Sequence, residues 1–116
     1  KNQKKNYLVP DLKKNIKKAK KKITLKDLNH YRDFISMNDI SKIIFYLYKK
    51  KFNGIVNIGS GKAILLKDIA TTISKYYNKK IEFNDNKKKT YLVANINKLK
   101  RIYKKKITQK IEQLIF

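Results

Sequence analysis

Apolar residues along this chain alternate between a helical spacing of three to four and a strand spacing of two, and this alternation restricts the fold more than any single residue does. Leu8, Leu12, Ile16 and Ala19 share one face of a basic helix predicted over 8–21, with Pro10 tolerated in its first turn. Lys22–Lys26 alternates as a short strand, and 31–37 reads as extended. Ile40, Ile43, Ile44 and Leu47 predict a helix over 39–51, for which Asn38 and Asp39 offer caps and Lys49, Lys50 and Lys51 suit the C-terminal end of the dipole. Asn53-Gly54 turns the chain into 55–58, expected to be a short buried strand. Beyond Gly59-Ser60-Gly61, the spacing of Ile69, Ile73, Tyr76 and Tyr77 predicts a helix at about 66–78. A strand at 80–83, a polar loop at 84–89, an extended stretch at 91–94 and helices at 96–103 and 108–115, the last with Thr108 as cap, complete the reading. Interleaved strands and helices make this an α/β chain, a small mixed domain of short strands and about five helices.

Its 116 residues have room for one domain and one core, so 1–116 is read as a single domain. There is no run of 18 apolar residues to span a membrane, and the first apolar run, Tyr7-Leu8-Val9, is too short for a signal peptide. The expectation is a cytoplasmic protein. Without cysteine and with one histidine, His30, thiol chemistry, disulfides and a histidine-cluster metal site are excluded.

Charge is the loudest compositional signal. Thirty-one basic residues face eight acidic ones, a formal charge of +23. That is an electrostatic footprint for nucleic acid, and salt-sensitive, non-specific adhesion to RNA or DNA is expected. The residue types argue against a dedicated site. Only Arg32 and Arg101 are arginines, whereas recognition of phosphates and base edges leans on the planar arginine fork. Lysine, asparagine (12) and isoleucine (17, against 3 valines) are what an AT-rich coding sequence drifts toward.

Four motifs fail on inspection. Gly59-Ser60-Gly61 begins like a dinucleotide fingerprint, but its third glycine would fall at Ile64. A phosphate-binding loop would need glycine at Val56 and a hydroxyl at Ala63. Tyr46/Lys50 and Tyr76/Lys80 have Tyr-x-x-x-Lys spacing, but with 8 tyrosines in so lysine-rich a chain such pairs arise by chance. His30 has no evident serine or cysteine partner for nucleophilic chemistry.

One pattern holds. Arg32-Asp33-Phe34-Ile35-Ser36-Met37-Asn38-Asp39-Ile40 is followed by the helix 39–51, by Asn57-Ile58-Gly59-Ser60-Gly61-Lys62 and by the helix from Leu66. In that order and spacing it resembles the second half of the NAD-dependent nucleotide-sugar epimerases and dehydratases, the extended short-chain dehydrogenase/reductases. Tyr7-Leu8-Val9-Pro10 is similar to that family's entry into the substrate-binding part, and 93–101 to its late x-A-D-x-x-K segment, so the resemblance covers about residues 6–115.

The resemblance implies a nucleotide-diphosphate sugar as ligand, with Arg32 reaching its pyrophosphate, where a permanently charged fork suits adjacent phosphoryl oxygens. It places Ile23, Thr24 and Leu25 in the wall of the nucleobase pocket, with Leu8 and Leu66 at other lining positions. Arg32 could instead pair with Asp33 or Asp39 on the surface, and each apolar position could equally be core. Asp39 reads as a helix cap, and Gly59 and Gly61 as a turn needing unusual dihedrals.

The resemblance also has gaps. The family's glycine-rich cofactor motif and catalytic Tyr-x-x-x-Lys pair have no credible counterpart, so NAD(P), the cofactor of the full-length family, is not expected to bind this chain alone, nor the chain to catalyse alone. Leu65 stands at a helix-capping serine position, a loss on the order of 1 kcal/mol. Asn95 replaces the late aspartate, and Lys87, Lys88 and Lys89 occupy the region of a second pyrophosphate arginine. The first expectation is therefore a fragment or split subunit of such an enzyme, with a separate Rossmann-type subunit as one expected partner. Alternatives are a polycationic module for nucleic acid or another polyanion, and an interaction subunit whose apolar face drives self-association.

Overall fold

The computed structural model describes residues 7–107 and 110–116. Their elements are α1 (Leu8–Lys18), β1 (Lys22–Lys26), β2 (His30–Asp33), α2 (Met37–Lys49), β3 (Ala63–Leu65), α3 (Leu66–Tyr76), β4 (Lys80–Asn84), β5 (Thr90–Leu92), α4 (Asn97–Ile102) and α5 (Ile111–Ile115). The α/β class and the five helices agree with the sequence reading; Thr108, read as the cap of the last helix, lies outside the described residues.

Helix α1 ends three residues before the expected 21, because no apolar residue beyond Ile16 is buried and the chain must turn extended at Ala19 (φ −59°, ψ 134°) to enter β1. Asn38 and Asp39 do not start α2. Ser36 does: its Oγ accepts from the Asp39 amide at 3.0 Å and donates to Asp39 Oδ2 at 2.7 Å, a reciprocal cap that explains why Asp39 is buried. Helix α3 begins at Leu66 with no side-chain cap from Leu65, the loss the sequence foretold.

The strands form two small sheets. β1 and β4 pair in parallel, from Lys22 opposite Lys80 to Lys26 opposite Asn84. β2 is the centre of the other, antiparallel to β3 (Arg32 opposite Ile64) and parallel to β5 (His30 opposite Thr90). Strand β3 went unread because the glycines before it pointed straight to a helix. The expected buried strand at 55–58 is not one. Val56 and Ile58 face inward, but Ile55 is 87% exposed, and among the described residues no strand pairs with the segment.

The apolar residues gather in two clusters rather than one core. The first joins α1, β1, β3, α3 and α5 around Ile16, Ile69 and Ile73. The second joins α2 and α4 around Ile43 and Leu99, with Phe52, Val56 and Ile58 against it.

Candidate functional site

The site forms where β2 runs between its two neighbours. Arg32 is half-buried on β2, and its Nη1 donates to the Tyr31 carbonyl at 2.7 Å and to Thr90 Oγ1 at 2.9 Å. Thr90 Oγ1 also lies 2.9 Å from His30 Nδ1, so one hydroxyl on β5 touches both His30 and Arg32. Two hydrogen bonds to neutral acceptors fix the arginine fork without neutralising it.

Lys89 lies on the other face of β2, against Tyr31. A two-way clasp aligns its loop: Asp27 Oδ1 accepts from the amides of Asn86 (3.0 Å) and Lys87 (3.2 Å), while Asp85 Oδ1 accepts from the Leu28 amide at 3.0 Å. The Lys67 ammonium, bonded to Asp85, holds that carboxyl below its ordinary value of 3.8 against the opposing effect of desolvation, with the Leu28 and Asn29 amides adding to the lowering. Lys87 faces Asp27 at 3.7 Å. Lys89 instead sits 4.7 Å from the centroid of Tyr31, which stacks on Tyr91 at 4.6 Å. Of the three loop lysines, Lys89 is the one beside β2.

Asp33 does not pair with its neighbour Arg32. Its Oδ1 accepts from the Ser60 amide (2.9 Å) and hydroxyl (2.5 Å), and its Oδ2 from the amides of Gly61 (2.9 Å) and Ala94 (3.2 Å). The Gly-Ser-Gly turn is thus a nest already holding a carboxylate. A cofactor pyrophosphate does not fit there, because Asp33 occupies the amides that would face it. The two glycines serve different needs. Gly61 has φ +67°, a left-handed conformation, whereas at Gly59 a Cβ would come 2.7 Å from Ala94 Cβ, so close approach rather than dihedral angle excludes a side chain.

The expected nucleobase wall is only partly assembled. Leu25 and Leu66 are buried in the first cluster, and Leu8 and Ile23 pack against it half-exposed. Thr24 is exposed on the opposite face of β1, so Ile23, Thr24 and Leu25 do not line one surface; a strand sends alternate side chains to opposite sides. Two clefts lie elsewhere. One of about 380 Å³ is bordered by Ile55, Asn57, Asn95 and Arg101, and one of about 220 Å³ by Ser60, Ile96, Leu99 and Tyr103. Both Tyr-x-x-x-Lys pairs serve packing: the Tyr46 hydroxyl donates to the Ile102 carbonyl at 3.1 Å, and Tyr76 stacks on Phe116 at 4.3 Å.

Sequence reasoning missed Thr90 and singled out no one of the three lysines. The only signal for Thr90 was a hydroxyl at the head of a predicted extended stretch, and its link to Arg32 depends on the parallel β2–β5 register.

No family model matches the sequence. The fold, however, recurs in solved structures. RMD from Pseudomonas aeruginosa, complexed with NADPH, superposes with a TM-score of 0.81 at 14% identity over 97% of this chain and 41% of that one. UDP-N-acetylglucosamine 4-epimerase from Bacillus cereus gives 0.74 at 23% identity, over 98% and 39%. dTDP-glucose 4,6-dehydratase from Bacillus anthracis, in complex with NAD, gives 0.76 at 22%, over 97% and 38%. The chain therefore has the fold of one part of the NAD(P)-dependent epimerases and dehydratases of the extended short-chain dehydrogenase type. It spans about two fifths of the length of those structures.

Proposed function

We propose that this chain is the nucleotide-sugar-binding portion of an NAD(P)-dependent epimerase or dehydratase, with hydride transfer left to a cofactor-binding domain outside these 116 residues. The observation that carries the reading is the Arg32 guanidinium, held on β2 by Thr90, in a fold whose solved examples include enzymes of nucleotide sugars. A diphosphate offers adjacent anionic oxygens, which suit a planar fork. Leu8 and Ile23, with Leu25 and Leu66 behind them, supply the apolar side toward a base, and Thr24 is left to contacts on the other face of β1.

The chain's role is to bind and orient. The fork fixes the diphosphate, and the sugar beyond it is presented to a nicotinamide and a proton-transferring pair located elsewhere. Calorimetric titration with UDP-, GDP- and dTDP-sugars tests this. One of the three is expected to bind weakly, and Arg32→Ala to reduce the affinity about tenfold or more, the effect of losing a charge-assisted hydrogen-bonded pair. Binding indifferent to that substitution removes Arg32 from the site. NAD is expected not to bind, and clear NAD affinity overturns the assignment.

A further inference from the structure

Alternate residues of a strand face opposite sides of its sheet, so Tyr31 lies on the reverse of β2 from His30 and Arg32. Its lateral neighbours there are Leu65 on β3 and Tyr91 on β5. Neither apolar cluster includes any of these three, so among the described residues this face of the sheet joins no core. It is held by its own contacts. Tyr31 and Tyr91 stack with ring centroids 4.6 Å apart and planes 25° from parallel, and the Lys89 ammonium stands 4.7 Å from the Tyr31 centroid. The Tyr31 ring is thus engaged by a ring and a cation, whereas Tyr91, on the edge strand β5, is 65% exposed. The free charge around this pair has one sign. Lys87, Lys88 and Lys89 lead into β5 and are exposed, and among the described residues no ion pair engages Lys88 or Lys89. Asp33 shares the face, but its carboxylate is taken by Ser60 and by the amides of Gly61 and Ala94. Asp27 is turned toward Lys87 and the loop amides.

We propose that the Tyr31–Tyr91 stack, with Lys88 and Lys89, is a stacking platform for single-stranded nucleic acid, separate from the Arg32 site. The open ring of Tyr91 calls for a planar partner, and the ammonium groups that no carboxylate neutralises call for an anion. A single strand supplies both in alternation, because its bases are free to leave their own stack and its phosphates run beside them. A duplex keeps its bases paired, and an acidic peptide brings charge without a regular run of rings. Aromatic side chains on adjacent strands of an open sheet face are how sheet-type RNA-binding modules hold bases. Because the two tyrosines stack on each other, the base sits on the outer side of Tyr91, with its backbone toward the lysines that precede β5. The scarcity of arginine fits this mode. Ring faces are common to all bases, so stacking reads no base edges and needs no planar fork. A second copy of the chain is a poor occupant, since each carries +23.

Fluorescence anisotropy tests this on the full chain at about 0.15 M potassium chloride. The probes are labelled oligouridylate and oligothymidylate of about 15 nucleotides, a DNA duplex of the same length, and heparin. Tyr91→Ala changes no charge, so it separates stacking from the attraction of a polycation for any polyanion. It is expected to weaken single-strand binding about tenfold and to leave duplex and heparin binding within about twofold. Whether oligouridylate, oligothymidylate or both show the loss identifies the strand that the platform takes. Equal weakening toward all probes, or none, overturns the proposal. Lys88→Gln/Lys89→Gln is expected to flatten the dependence of log affinity on log salt by about one unit of slope. The control pair Lys17→Gln/Lys18→Gln, exposed on α1, is expected to flatten it markedly less, and equal flattening overturns the placement. The sequence has no tryptophan, so Tyr91→Trp installs a single reporter. Its emission is expected to be quenched by the single strand and unchanged by heparin; quenching by both alike, or by neither, overturns the proposal. Should Tyr91→Ala unfold, as its circular-dichroism spectrum would show, this arm decides alone.

Discussion

The Asp33 carboxylate accepts hydrogen bonds from four donors on two other parts of the chain: two on Ser60 and one on Gly61, and one on Ala94. Bonds to a charged acceptor contribute more than neutral ones, and their loss leaves amides without partners in a half-buried site. Asp33→Ala is expected to destabilise the fold by about 3 kcal/mol in urea unfolding, well beyond a typical surface substitution. A loss below about 1 kcal/mol would mean that water satisfies these amides as well as Asp33 does. The sequence exposed Arg32 for a compositional reason, its rarity among lysines, and a resemblance gave it a ligand. Asp33 stood in the same motif, and the one role it offered there was as an alternative ion-pair partner of Arg32. Its actual partners are 27 to 61 positions away, a separation that neither periodicity nor local motif encodes.

At the scale of elements, the helices were legible because their buried faces repeat, and their ends less so because caps compete locally. Ser36 captures the start of α2 ahead of Asn38 and Asp39, since only there does the aspartate fall three residues on, within reach of the hydroxyl. β3 and 55–58 failed in opposite ways. The three residues of β3 are too few for a pattern and owe their pairing to β2, whereas 55–58 has the pattern but no paired neighbour among the described residues. Between them, Gly61 sets the geometry of the connection. At φ +67°, and with Ile96 Cγ1 only 2.6 Å from where a Cβ would sit, Gly61→Ala meets both a strained dihedral and an overpacked contact. Gly54→Ala shares the positive φ, at +121°, but its nearest contacts are at 3.9 Å. Gly61→Ala is expected to be the more destabilising by about 1–3 kcal/mol, the range of overpacking, in parallel denaturant titrations. Equal losses would show that Ile96 yields freely.

For the whole molecule, shape and charge act together. The radius of gyration is 16.4 Å and the extents are 52 × 29 × 22 Å, against the roughly 13 Å expected of a compact 100-residue domain. Two apolar clusters in an elongated body leave more surface per buried residue than a single core would, and that surface carries a charge of +23. Among the described residues three ion pairs are present, Lys22–Glu82, Lys67–Asp85 and Lys87–Asp27, each with an exposed or half-exposed partner. Pairs of this kind contribute about 0–1 kcal/mol, so screening them costs little. Screening the surplus lysines relieves repulsion that a folded chain feels more strongly than an expanded one. The Debye length falls from about 30 Å at 0.01 M salt to about 10 Å at 0.1 M, enough to separate lysines on different elements electrostatically. The thermal midpoint is therefore expected to rise as potassium chloride increases from about 0.01 to 0.3 M, over the range in which non-specific adhesion to nucleic acid is lost. A midpoint that falls instead would mean that the ion pairs outweigh the repulsion.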